Sequence, residues 1–243
     1  MILFYCYIFI FGTLIGSFLN ALIYRIPRDL DFVWQRSQCT QCSAKILWYD
    51  NIPLISYILL KSKCRNCKTK ISLRYPFVEL LCGIFGLYYF IHYDSWFVAL
   101  IYFLMTCAFI VHTFIDLEFQ ILPDIVNIFL LILFSIWTIY FATYEKAIFG
   151  LLLGFGVPYL IAYIFEKLAK KDGLGMGDVK LFAVLGIFFG PQEIMNILFI
   201  SSLLGSVIGI ILILIKKMDR NQGIPFGPYI IAAALIRLLL TNS

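Results

Sequence analysis

Long apolar runs separated by polar breaks constrain this chain more than any other feature. Hydropathy and the breaks place the runs at roughly residues 2–24, 76–91, 96–115, 124–142, 147–165, 180–192, 194–215 and 225–240. A run of about 20 apolar residues crosses a bilayer as a helix. The chain is 62% hydrophobic and only 14% charged over 243 residues. A soluble domain usually carries about 25% charged residues, so this one has too little polar surface to face water. The expected fold is an all-α polytopic membrane protein of about eight transmembrane helices. The first run has no basic stretch before it and continues to Tyr24, so it reads as a retained span rather than a cleaved signal.

Basic residues set the expected orientation. Arg25, Arg28, Arg36, Lys45, Lys61, Lys63, Arg65, Lys68, Lys70 and Arg74 fall in the insert after the first span. Lys167, Lys170, Lys171 and Lys180 flank the loop after the fifth, and Lys216, Lys217 and Arg220 follow the seventh. Only Lys146 lies in a loop of the other parity, and Arg237 lies within the eighth span. The positive-inside rule makes the basic loops cytoplasmic and sends both termini outward. The net charge of +5 is therefore a topology signal that also favours anionic lipid headgroups, with no nucleic acid expected as partner.

The insert between the first two spans carries Cys39-Thr40-Gln41-Cys42 and Cys64-Arg65-Asn66-Cys67. Two CxxC knuckles offer four thiolates at the spacing of a tetrahedral zinc site. A reducing cytoplasm argues against disulfides, and a redox CxxC needs only one pair, usually in a βαβ setting. Structural zinc on Cys39, Cys42, Cys64 and Cys67 is the expectation. Lys63, Arg65 and Lys68 stand close by to offset the negative charge of such a centre. Cys6, Cys82 and Cys107 lie inside spans and read as small apolar residues.

Two aspartates sit where apolar runs meet polar loops. Asp116 ends the third span and Asp178 opens the sixth, which puts both on the cytoplasmic side. An ionisable residue at the edge of a bilayer is costly to keep charged and points to function. Two facing carboxylates can share a proton, as in an aspartic protease dyad. Gly173, Gly175 and Gly177 precede Asp178; glycines let a backbone approach closely or adopt positive φ, which suits a peptide laid beside the carboxylate. The competing readings are a solvated loop carboxylate for Asp116 and a helix-dipole partner for Asp178.

Asp124 is about 12 Å from Asp116 if the chain stays helical, too far to share a proton unless Pro123 turns the chain back, and it reads as a first-turn acid after Pro123. Glu118 points away from Asp116 on a helix, and Asp172 reads as a member of a solvated ion pair. His112 lies one turn before Asp116 and reads as a polar residue lining a bundle interior. With only two histidines and no HExxH, neither a Ser-His or Cys-His hydrolase nor a zincin is expected.

With these residues in view, the chain resembles the bacterial type IV prepilin leader peptidases over nearly its whole length. The likeness runs through Gly16-Ser17-Phe18-Leu19-Asn20 with Arg25-Ile26-Pro27, the paired CxxC motifs, Trp48-Tyr49-Asp50-Asn51-Ile52-Pro53, and Arg74-Tyr75-Pro76 with Glu79. It continues through Ile115-Asp116, Leu122-Pro123-Asp124 and Gly175-Met176-Gly177-Asp178-Val179-Lys180-Leu181.

The resemblance implies that Asp116 and Asp178 are catalytic, with Gly175, Gly177 and Lys180 near the substrate. The implied reaction is removal of a short basic leader from prepilins or pseudopilins at the cytoplasmic face of the bacterial inner membrane. It further implies N-methylation of the new terminus with S-adenosylmethionine, associated with the cysteine-bearing insert, where Lys63 is the candidate for the methyl donor. Residues 1–75 would then form the methyltransferase region and residues 76–243 the protease region. One departure stands out: the family often has Gly before the basic residue preceding its third cysteine, whereas this chain has Ser62-Lys63. The remaining alternatives are a peptidase without methyltransferase activity, a proton-coupled transporter using the two aspartates, and a non-catalytic assembly factor.

Overall fold

A computed structural model of the protein describes residues 2–31, 36–169, 173–215 and 224–240. Lys170, Lys171, Lys216, Lys217 and Arg220, used in the orientation argument, lie outside the described residues, as does Asp172. Every expected apolar run is a helix. They are α1 (Ile2–Arg25), α3 (Arg74–His92), α4 (Trp96–Phe119), α5 (Asp124–Phe141), α6 (Tyr144–Ala169), α7 (Met176–Phe189), α8 (Pro191–Leu214) and α9 (Gly227–Leu240). A short helix, α2 (Ile55–Leu59), lies in the insert. Among the described residues the only extended pairing is two isolated antiparallel bridges, Gln38 with Lys45 and Lys63 with Lys70.

Six helices (α1, α3, α4, α5, α6 and α8) are long and apolar enough to cross a membrane. The other two, α7 and α9, have 14 residues each, or about 21 Å, against a hydrocarbon core of about 30 Å. Among the described residues the helices thus suit a multi-pass membrane protein with six of spanning length, and eight crossings would require α7 and α9 to be extended by their flanks.

The chain forms two compact units, Met1–Val111 and His112–Ser243. In the first, α1 lies directly on α3. A Cβ on Gly12 would come within 2.7 Å of the Cys82 carbonyl oxygen, and one on Gly16 within 2.6 Å of the Glu79 Cα. Small residues bring membrane helices together because dispersion contacts, rather than water exclusion, drive their association. The Asn20 side-chain amide donates to the Tyr75 carbonyl at 3.0 Å and ties the C-terminal end of α1 to the start of α3. Cys82 and Cys107 are buried, in keeping with a packing role, whereas Cys6 is exposed.

In the second unit α6 and α7 cross at glycines. A Cβ on Gly150 would overlap the Gly186 carbonyl oxygen, and one on Gly186 would overlap that of Gly150. Packed this closely, α7 is buried along most of its length. Phe134 of α5 meets Phe188 of α7 with ring centroids 4.9 Å apart. Arg237 of α9 pairs with Glu193 of α8, so the cation noticed inside the eighth apolar run has a carboxylate partner within the bundle.

Candidate functional site

Asp116 lies inside the last turn of α4, because the helix continues to Phe119 rather than stopping at residue 115. The chain leaves α4 through Gln120, which has φ 56°, and Pro123 then caps α5 in an extended conformation. This turn leads into α5, whose first residue is Asp124. Asp178 comes from the first turn of α7, where the Asp178 N–H donates to the Gly175 carbonyl at 3.0 Å.

The two aspartates line one cavity of about 390 Å³, together with Asp124, Gly175, Gly177 and Lys180. Asp116 lies within electrostatic reach of Asp178. Asp116 is buried and Asp178 half-buried. Like charges that feel one another resist ionising together, so one of the two can stay protonated while the other is charged.

The glycines act by leaving room, not by adopting a special conformation. Gly175 has φ −64°, and among the described residues Gly190 is the glycine with positive φ. A Cβ on Gly175 would sit 3.1 Å from the Asp178 Oδ2, and one on Gly177 3.1 Å from the Leu122 Cβ. The first spacing keeps the carboxylate approachable, and the second lets α7 lie against the turn after α4. The positive-φ alternative for Gly175 and Gly177 is therefore corrected: a helix N-terminus needs no left-handed residue there.

Asp124 and Lys180 form an exposed ion pair at the cavity, with the Lys180 Nζ 2.8 Å from each Asp124 oxygen. An exposed pair of this kind adds roughly 0–1 kcal/mol, so it shapes the rim more than it stabilises the fold. Glu118 is exposed on the other side of α4. His112 is fully buried and does not line the cavity.

A residue that motif reasoning passed over completes the site. The backbone N–H of Gly227, at the start of α9, donates to the Asp116 Oδ2 at 2.9 Å. A Cβ there would lie 2.8 Å from the same oxygen. The available signal was Pro225-Phe226-Gly227-Pro228, a glycine between prolines at a helix start. Assigning residues 225–240 wholly to a span hid it.

Far from the aspartates in sequence, the four cysteines of the insert converge. Each knuckle is a tight hairpin. The Cys39 N–H donates to the Ala44 carbonyl at 2.9 Å, and the Cys64 N–H to that of Thr69 at 2.9 Å. Ser43 and Lys68, each one residue past a second cysteine, have φ 55° and 59°. All four Sγ atoms lie within 4.8 Å of one another, with Cys39 and Cys67 Sγ 3.8 Å apart. Zinc–sulfur bonds of about 2.3 Å in a tetrahedron give sulfur–sulfur edges of about 3.8 Å. The cluster can hold a metal ion, and its donor set and size fit zinc.

A hydrogen bond with the Thr69 hydroxyl brings the Cys67 thiol down to about 6, while Cys39 in the same cluster is pushed up to about 11. Asp50 accepts from the Arg65 Nε and NH2 at 2.7 and 2.6 Å, which holds its carboxyl below the usual range. This bidentate pair braces the second knuckle against residues 48–51. Lys63 is exposed beside Cys64 and paired by backbone with Lys70. Ser62 has φ 59°, a left-handed conformation that favours glycine.

Comparison with known proteins finds relatives along nearly the whole chain. The bacterial peptidase A24 N-terminal domain matches residues 10–93, and the type IV leader peptidase family matches residues 99–210. The protein named prepilin leader peptidase/N-methyltransferase in Aeromonas salmonicida (strain A449) is 35% identical, covering 99% of this chain and 92% of its own length. Proteins of the same name in Neisseria gonorrhoeae and Stutzerimonas stutzeri are 33% and 34% identical over 96% and 95% of this chain, and 90% and 88% of theirs. No solved structure matches. Similarity at this level along nearly the whole chain means that it belongs to the type IV leader peptidase family.

Proposed function

We propose that this protein is a membrane aspartic endopeptidase that removes the leader from type IV prepilins or pseudopilins and then N-methylates the new terminus. The observation that carries the peptidase reading is the meeting of Asp116 and Asp178 in one cavity with Gly175 and Gly177. One carboxylate, ionised, takes a proton from water as that water attacks the scissile carbonyl carbon. The other, protonated, donates a hydrogen bond to the carbonyl oxygen as negative charge develops there. Collapse of the tetrahedral species breaks the C–N bond, and the leaving amine takes up a proton from the dyad. Gly227 holds the Asp116 Oδ2 and leaves its Oδ1 for the reaction.

A proton-coupled transporter would also use paired intramembrane carboxylates. Family membership and the glycines opened around Asp178 favour peptide cleavage. The methyltransferase half rests on the shared name of the relatives, with S-adenosylmethionine as methyl donor. We assign it to residues 1–75, with Lys63 as the candidate contact for the donor and residues 76–243 carrying the protease. Zinc on Cys39, Cys42, Cys64 and Cys67 supplies structure there rather than chemistry, because four protein thiolates leave no open coordination position.

The basic insert and both aspartates belong at the cytoplasmic face of the inner membrane by the positive-inside rule, whether α7 and α9 cross fully or not. The deciding experiment incubates the purified protein with a prepilin peptide and S-adenosylmethionine and reads product masses. Leader-free, methylated product is expected. Uncut peptide with active transport of a solute would overturn the reading, and cleaved but unmethylated product would leave a peptidase alone.

A further inference from the structure

The insert has its apolar side chains on the wrong side for a segment in water. In α2 the polar Ser56 is buried while Ile55, Ile58 and Leu59 project outward, the last two 73% and 74% exposed. Ser56 faces inward because its hydroxyl is used there. It accepts from the Ile52 N–H at 3.0 Å and donates to the Tyr49 carbonyl at 2.9 Å. These bonds fasten α2 to the helical turn Trp48–Asn51, whose Trp48 is 81% exposed. A free-standing polar loop would bury the isoleucines and expose the serine.

The position of α2 along the bundle explains the inversion. Just before it, Leu54 takes φ 62° and ψ −49°, and the Ile55 N–H donates to the Pro53 carbonyl at 2.6 Å. This is the strained form of a three-residue turn. The Leu54 N–H donates to the Glu79 Oε2 at 2.8 Å. Glu79 is buried in the second turn of α3, a helix apolar enough to span a membrane. The start of α2 is therefore tied to the level at which α3 enters the bilayer.

Charge complements this placement. Residues 36–74 contain Arg36, Lys45, Lys61, Lys63, Arg65, Lys68, Lys70 and Arg74 against the single acid Asp50, a net of 8 − 1 = +7. Lys61 and Lys63 directly follow α2 and are exposed. An apolar face beside a cluster of lysines, with a tryptophan at its margin, is the composition of a segment lying in the headgroup region of an anionic membrane.

We propose that residues 48–59 form an interfacial anchor. Trp48, Ile55, Ile58 and Leu59 insert among lipid headgroups, and the following lysines pair with anionic lipid. The cysteine cluster is thereby held down on the membrane surface instead of standing off in the cytoplasm. The inference is independent of the peptidase reading, since it uses none of the groups around the aspartates.

Two single-tryptophan proteins test it, made by replacing the other tryptophans with phenylalanine. One retains Trp48, and the other carries Ile58→Trp in place of all four. Each is reconstituted at full length into bilayers of phosphatidylethanolamine with phosphatidylglycerol. Blue-shifted emission is expected at both positions, with quenching by lipids brominated near the glycerol end of the acyl chain several-fold stronger than by aqueous acrylamide. On the unaltered chain, hydrogen exchange across residues 52–60 should slow at least several-fold on moving from zwitterionic to phosphatidylglycerol-containing bilayers. Free access of acrylamide to both tryptophans would overturn the proposal. So would shielding from both quenchers, which would mean that protein covers this face. Equal hydrogen exchange in the two lipids would overturn the role given to the lysines.

Discussion

The backbone N–H of Gly227 donates to the Oδ2 of Asp116 across 111 residues of sequence, at 2.9 Å. The bond fixes one oxygen of the carboxylate and orients the other. A methyl group in place of the glycine hydrogen would meet that same oxygen at 2.8 Å. Gly227→Ala should reduce cleavage at least about tenfold, because misplacing a reacting group by about 1 Å costs rates of order 10²-fold. Membrane accumulation should remain near normal. Peptide mass spectrometry under initial-rate conditions checks this, and wild-type turnover would mean that Gly227 is only a packing residue.

Asp116→Asn and Asp178→Asn should each abolish detectable cleavage while leaving insertion intact. Either change keeps side-chain volume and removes the acid–base function. Asp124→Asn should retain clear activity, since it only breaks an exposed pair with Lys180. If Asp124→Asn proves as inactive as the other two, the dyad has been assigned to the wrong pair.

Metal analysis of protein prepared without chelators should give about one zinc per chain. Cys64→Ser with Cys67→Ser should release it and increase proteolysis within residues 36–74, because the knuckles are held to each other chiefly through the sulfur cluster. Methyl transfer should fall more than cleavage, as it should in Lys63→Ala. Both activities falling together in every insert variant would make the insert a shared scaffold instead.

Gly150→Ala and Gly186→Ala should each destabilise the protein by about 3 kcal/mol, at the upper end of the overpacking range. The added methyl meets backbone at the α6–α7 crossing, which cannot rotate away as a side chain would. Thermal unfolding in detergent measures it. Gly156→Ala, where a Cβ would meet nothing within 4 Å, is the matched control and should be silent.

Acidification should loosen the insert through Asp50. Its carboxyl is held below the usual range by Arg65, so the pair contributes fully above the unfolded value of about 3.9 and is lost as pH falls through the lower folded value. Limited proteolysis of residues 36–74 should therefore rise below about pH 4, less so in Asp50→Asn, which has already lost the pair. An equal response in both proteins would assign the acid sensitivity to the thiolates.

Hydropathy located the eight longer helices but not α2, since each apolar run had to satisfy its own backbone, which requires only local information. Cysteine spacing likewise announced the cluster, because a hairpin around CxxC is a local structure that needs no distant partner. The family motifs group Asp116 and Asp178 with Gly175, Gly177 and Lys180, which line the same cavity, but they do not include Gly227. Pro123 marks the start of α5 from the sequence alone, and Asp124 stands in its first turn, whereas the pairing of Asp124 with Lys180 depends on the fold.

Three features were decided by tertiary structure alone. Gly227 reaches Asp116 only because α9 returns to the end of α4, and a backbone donor leaves no trace in side-chain chemistry. The prominence of Gly150 and Gly186 depends on two helices crossing at those points, whereas glycine in an apolar run is otherwise common. The outward face of α2 follows from a strained turn held by Glu79 from a separate helix. Periodicity and composition report what each segment needs from its surroundings, and they determined here that the chain is a helical membrane protein with a cysteine cluster and two edge carboxylates. Which surfaces meet is a matter of close contact between distant segments, and only the folded chain resolves it.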